Sequence, residues 1–137
     1  MIFLDPRNLD RYLVHWTIGL VFDKAEHRPT YLGRTYDLSL MGAGILTNTN
    51  VFSSSPVLIL LAPPPLYKGH RPRVIEVTAR QLYCIYSGEK ACFNLGFEFN
   101  NFKDGGIEML RERLKSHRSL RTNELITQIA TARIVSA

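Results

Sequence analysis

RPRVIEVTARQLYCIY (71–86), SGEK (87–90) and CFNLGFEFN (92–100) read together as one long β-hairpin. Both arms are rich in Val, Ile, Tyr, Phe and Thr, which suit a pleated, half-buried surface. Ser87-Gly88-Glu89-Lys90 between them is a turn signal, because Gly accepts backbone angles that other residues avoid. A turn centred on Gly88 sets Cys84 opposite Cys92, within reach of a cross-strand disulfide on oxidation. Two small, partly buried thiols are the simpler expectation.

Working outward, VLILLA (57–62) is a continuous apolar run, short enough for a strand buried on both faces. Pro63-Pro64-Pro65 ends it. Residues 48–55 read as a loop. Residues 43–47 and 31–36 each suit a strand, with residues 37–42 interrupting them. Residues 23–29 form a charged turn region. Residues 12–22 suit a first strand, with Trp16 expected in the core. Six strands with no helical period between them predict a mainly β fold, a closed or nearly closed six-stranded antiparallel β-barrel.

The period changes after the hairpin. Asp104 is placed to cap a helix, and Ile107, Leu110 and Leu114 then share one face. A helix over residues 104–117 can cover a barrel opening. A second helix is expected over residues 122–135, where Leu125, Ile126, Ile129, Ala130 and Ile134 lean to one side. At the other end Pro6 and the polar residues around it disfavour helix and strand. The expected organisation is an N-terminal arm (1–11), a barrel with its capping helix (12–117) and a C-terminal helical extension (118–137).

A chain of 137 residues suits one domain with its own core. No apolar run approaches the roughly 18–20 residues of a membrane span. Met1-Ile2-Phe3-Leu4 is too short for a signal peptide and has no basic region before it. A cytoplasmic protein with reduced thiols follows as the expectation. There is no CxxC, and His15, His27, His70 and His117 lack metal-ligand spacing, so no metal and no cofactor are expected. Seventeen basic against twelve acidic residues leave a net charge of +5, which favours anionic partners. The basic residues from Arg111 onward read as a solvated helix face.

Two short constellations stand out. Arg7-Asn8-Leu9-Asp10-Arg11 is an RxxxR on the arm. Asp37-Leu38-Ser39-Leu40-Met41-Gly42 is a DxSxxG at a strand end, beginning 26 positions after Arg11. Each alone is weak. Paired arginines usually solvate a surface, and Asp, Ser and Gly build turns. In this order, and followed by Gly96-Phe97-Glu98-Phe99 on the last strand, they resemble the PilZ domain family. There RxxxR precedes the first barrel strand, (D/N)xSxxG follows the second, and a Gly-x-x-Phe strand leads into a C-terminal helix. The resemblance covers roughly residues 5–117.

That resemblance implies a PilZ-type barrel and a receptor for cyclic di-GMP, the bacterial second messenger, acting as an adaptor and not as an enzyme. Arg7, Arg11, Asp37, Ser39 and Gly42 are the implied ligand residues. The chemistry agrees. Arginine offers a planar fork for the O6/N7 edge of guanine and for phosphate oxygens. A carboxylate at Asp37 accepts from guanine N1–H and its amino group, Ser39 donates or accepts beside it, and Gly42 permits close approach. A stacking aromatic is expected on a strand, with Tyr83 the candidate and Tyr86 the next.

No Walker A, GxGxxG or GxSxG motif is present. The expected output is arm ordering that changes a surface seen by a protein effector, in a process such as motility or biofilm formation. The extension 118–137 is expected either to contact another protein or a second copy, or to fold back on a barrel edge. Two other readings stay open. One is a degenerate PilZ-like interaction module that binds no nucleotide. The other is a basic β-barrel for single-stranded nucleic acid, which would need aromatics among lysines along one face; here they sit mostly in apolar company.

Overall fold

The computed structural model describes residues 11–22, 31–115 and 117. Six strands are followed by one helix: β1 (Thr17–Val21), β2 (Tyr31–Leu38), β3 (Gly42–Thr47), β4 (Val57–Ala62), β5 (Ile75–Ser87), β6 (Cys92–Phe102) and α1 (Gly106–Leu114). The strands close an antiparallel barrel in the order β1-β2-β3-β6-β5-β4. Closure removes the free edges that an open sheet would expose.

Apolar side chains from five strands fill the barrel, with clear alternation on β4 and the first half of β5. Ile18 and Leu20, Ile45, Val57, Ile59 and Leu61, Ile75, Val77 and Ala79, and Leu95 and Phe97 are all buried. Gln81 is the polar exception on β5. Its amide takes the Ser53 N–H at 3.0 Å and donates to the Val51 carbonyl at 2.8 Å, tying down the loop before β4. α1 closes one end with Leu110, fully buried, and Leu114, nearly so. A helix of nine residues is marginal alone, so this packing holds it.

Several expectations are corrected. β4 buries only Val57, Ile59 and Leu61; Leu58, Leu60 and Ala62 face outward and are half-buried, as on an ordinary barrel strand. β5 begins at Ile75 and not at Arg71, since Pro72 has no N–H to give a ladder. β2 runs on through Asp37 and Leu38, which pair with Gly44 and Ala43 beyond an irregularity between Thr35 and Asp37. β1 starts only at Thr17, and Trp16, though buried, precedes it.

Asp104 does not cap α1. It takes a left-handed turn conformation (φ 50°), and the N-cap is Gly105 (φ 70°), with no side-chain bond to the helix. Nor do the cysteines meet. Cys84 faces Leu95 and Cys92 faces Ser87, because the turn spans residues 88–91 and does not centre on Gly88. Both are free thiols. No helix among the described residues is long and apolar enough to cross a membrane. The expected arm through Asp10 and the expected helix over 122–135 lie outside the described residues.

Candidate functional site

The site begins with how the chain enters the barrel. Tyr12 exchanges backbone hydrogen bonds with Leu38 at 2.8 and 2.9 Å. Thr35, fully buried on β2, donates its hydroxyl to the Val14 carbonyl and accepts from the Trp16 N–H at 2.8 Å. The entry strip is thereby stitched along the end of β2. That stitching delivers Arg11 to Asp37, with Arg11 Nη1 donating to Asp37 Oδ2 at 3.0 Å.

Asp37 is buried, and each of its carboxylate oxygens has a partner. Its Oδ1 accepts from the Gly44 N–H at 2.8 Å while Oδ2 faces Arg11. Arg11 keeps about half its side chain in solvent (52% exposed), and a guanidinium has five donors, so one bond to Asp37 does not exhaust it. A pair with one partner this exposed adds under about 1 kcal/mol to stability. Its effect is orientation.

Ser39 ties the β2–β3 turn. Its hydroxyl oxygen accepts from the N–H groups of Met41 and Gly42 at 3.0 and 3.1 Å, and its own N–H donates to the Gly42 carbonyl. No base contacts the hydroxyl among the described residues. Gly42 sits where β3 runs tight against β6, since a Cβ there would lie 2.3 Å from the Phe97 carbonyl oxygen. Arg11, Ser39, Met41, Gly42, Leu82, Phe97 and Glu98 line a cavity of about 210 Å³. A larger groove of about 490 Å³, flanked by Arg34 and Lys90, contains none of the motif residues.

Outward from the cavity, two further glycines shape the barrel surface. Gly44 pairs with Gly96, and Gly96 pairs with Tyr83. The Asp37 carboxylate covers Gly44, and the Tyr83 ring covers Gly96; a Cβ on Gly96 would lie 2.2 Å from that ring. The ring therefore lies against the sheet and remains 38% exposed. Tyr86 is farther along β5, exposed and edge-on to Phe93 with centroids 5.3 Å apart.

Of the residues the sequence singles out, Arg11, Asp37, Ser39 and Gly42 come together, and Tyr83 stands on the same outer face. Arg7 lies outside the described residues. Sequence reasoning passed over Gly44, Leu82 and Glu98. Glu98 carried a signal, being the lone acid of the Gly96–Phe99 stretch. Among the described residues no group of three or more His, Cys, Asp and Glu is set to hold a metal ion.

Neither a family model nor a curated protein sequence matches the chain. Solved structures do. The inhibitor of motility MotI/DgrA from Bacillus subtilis superposes with a TM-score of 0.59 at 14% identity, over 82% of this chain and 53% of that one. This chain thus spans about half of that protein's structure. The PilZ domain of YcgR from Escherichia coli, solved with cyclic di-GMP, superposes with a TM-score of 0.54 at 18% identity, covering 80% of this chain and 88% of that domain. With its closed six-stranded barrel, its helix over one end and these two neighbours, the chain has the PilZ-domain fold.

Proposed function

We propose that this chain is a receptor for cyclic di-GMP that relays the signal to a protein partner. The observation that carries this reading is the meeting of two motifs 26 residues apart. Arg11 of RxxxR reaches Asp37 of DxSxxG at 3.0 Å, beside a cavity that Ser39 and Gly42 also line. That meeting supplies a half-exposed guanidinium fork, held in place from below, for guanine O6/N7 or for phosphate. Arg7, one RxxxR spacing upstream, adds the second fork.

Asp37 and Ser39 prepare the site. Asp37 aims Arg11, and Ser39 fixes the turn that forms the cavity wall. Tyr83 offers the outer face of its ring to a guanine, since base–aromatic stacking contributes about 1–3 kcal/mol. Binding, not chemistry, is the role, because the Ser39 hydroxyl is spent on its own turn. Wrapping of the arm around the ligand changes the surface offered to a partner. The YcgR domain, which shares this fold and was solved with the same ligand, supports the choice of ligand class. The inhibitor of motility supports a motility output.

Thermal denaturation with a ligand panel tests this reading. A ligand that binds only the folded state raises the melting midpoint. Cyclic di-GMP is expected to raise it, and GTP and cyclic AMP are not. Equal shifts with all three would contradict a guanine-dinucleotide site.

The glycine floor yields a separate prediction. Gly96→Ala places a methyl group where the Tyr83 ring lies, so the ring must swing away from the sheet. Cyclic di-GMP binding is expected to fall about tenfold, in line with loss of one stacking contact. The loss should match that of Tyr83→Ala, with no further loss in the double variant. Additive losses in titrations of the three variants would show that Tyr83 and Gly96 act apart.

A further inference from the structure

The cavity beside Arg11 contains a carboxylate for which the receptor reading has no task. Glu98 lines it with Arg11, Ser39 and Gly42. On β6 it stands directly across from Gly42 of β3 and from Arg80 of β5. Arg80 Nη2 donates to its Oε2 at a long 3.4 Å, and the two side chains are 62% and 45% exposed. A pair this open is weak and readily exchanged.

The acceptors already assigned to the ligand are in a different condition. Asp37 gives one oxygen to the Gly44 N–H and the other to Arg11. The Ser39 oxygen takes two N–H groups of its own turn. Among the cavity-lining side chains, Glu98 is the acceptor with capacity to spare.

A carboxylate repels phosphate oxygens, so at this site it suits only a donor-bearing part of a dianionic ligand. The Watson–Crick edge of guanine sets N1–H beside the N2 amino group, two donors that match two carboxylate oxygens. Adenine sets its amino group beside a bare ring nitrogen, an acceptor that would face the carboxylate. We propose that Glu98 reads the donor edge of a guanine and makes the site selective for guanine over adenine cyclic dinucleotides. The assignment rests on the receptor reading above.

Calorimetric titration of the wild-type chain and of the Glu98→Gln, Glu98→Ala and Arg11→Ala variants, each with cyclic di-GMP and cyclic di-AMP, tests it. Glu98→Gln is expected to weaken cyclic di-GMP binding about tenfold, the lower end for a hydrogen bond to a charged group. It should not weaken binding of cyclic di-AMP, because the amide brings a donor to the adenine ring nitrogen. The preference for guanine therefore narrows. Glu98 is half-buried and its one ion pair is weak, so melting midpoints should change little, separating this result from misfolding. Wild-type affinity and preference in both Glu98 variants, with binding lost in Arg11→Ala, would overturn the Glu98 assignment alone. Absence of cyclic di-GMP binding by the wild-type chain would overturn the receptor reading and the role of Glu98 with it.

Discussion

Arg11→Ala is expected to weaken cyclic di-GMP binding by about one to two decades, with almost no change in thermal stability. A hydrogen bond to a charged group contributes about 1.5–3 kcal/mol, and about 1.4 kcal/mol is a factor of ten in affinity. The stability side follows from exposure. Arg11 has half its side chain in water, and its pair with Asp37 holds geometry more than energy. Asp37 Oδ1 keeps the Gly44 N–H when Arg11 is gone, and Oδ2 exchanges a half-exposed partner for water, so the cost to stability stays small. Arg11→Lys should recover little, because an ammonium cannot present the planar fork. Arg7→Ala is expected to act in the same direction. Calorimetry paired with thermal melts checks both halves. Wild-type affinity in both arginine variants would remove the RxxxR from the site.

The largest stability effect is expected at the helix. Leu110→Ala should destabilise the chain by about 2–5 kcal/mol, the range for emptying a buried leucine site. Leu110 is wholly buried where α1 seals the barrel end, and Leu114 beside it is nearly so. The site cannot collapse easily, since Gly106 already brings the helix against Ile75, with 3.1 Å between an added Cβ and the Ile75 side chain. A fall of the melting midpoint on the order of 10 °C follows for a domain of this size. Denaturant unfolding followed by circular dichroism measures it. A loss below about 1 kcal/mol would mean that α1 is dispensable to the barrel.

The strand count and the single described helix were legible because their signals are local. Period two and a turn mark β5 and β6, and Leu110 with Leu114 mark the buried face of α1. What failed depended on register. The turn after β5 takes in Ala91 in a left-handed conformation (φ 53°), which no residue preference announces, and so the cysteines are not opposed. An irregularity between Gln81 and Tyr83 shifts the parity of β5. Without that register the fit of the Tyr83 ring over Gly96 could not be foreseen. Asp104 was misread as a cap because Asp serves equally well in a left-handed turn.

The site was legible only through motif order. Nothing in composition brings Arg11 to Asp37; the backbone bonds of Tyr12 with Leu38 and the buried Thr35 hydroxyl do that. The roles of the motif residues were also finer than their chemistry suggested. Gly42 clears space for the Phe97 carbonyl, and Ser39 serves its own turn. Glu98 went unnoticed because a lone acid on a strand usually faces solvent. Its place in the cavity depends on the pairing of β3, β6 and β5.

Calorimetric titration of the full chain with cyclic di-GMP is the most direct test of the receptor reading, since one trace yields binding, stoichiometry and affinity. Saturable binding is expected, at a stoichiometry that one site per chain can account for, whether it takes a single ligand or a stacked pair. A flat trace from folded protein at millimolar ligand, with no shift in the melting midpoint, would contradict it.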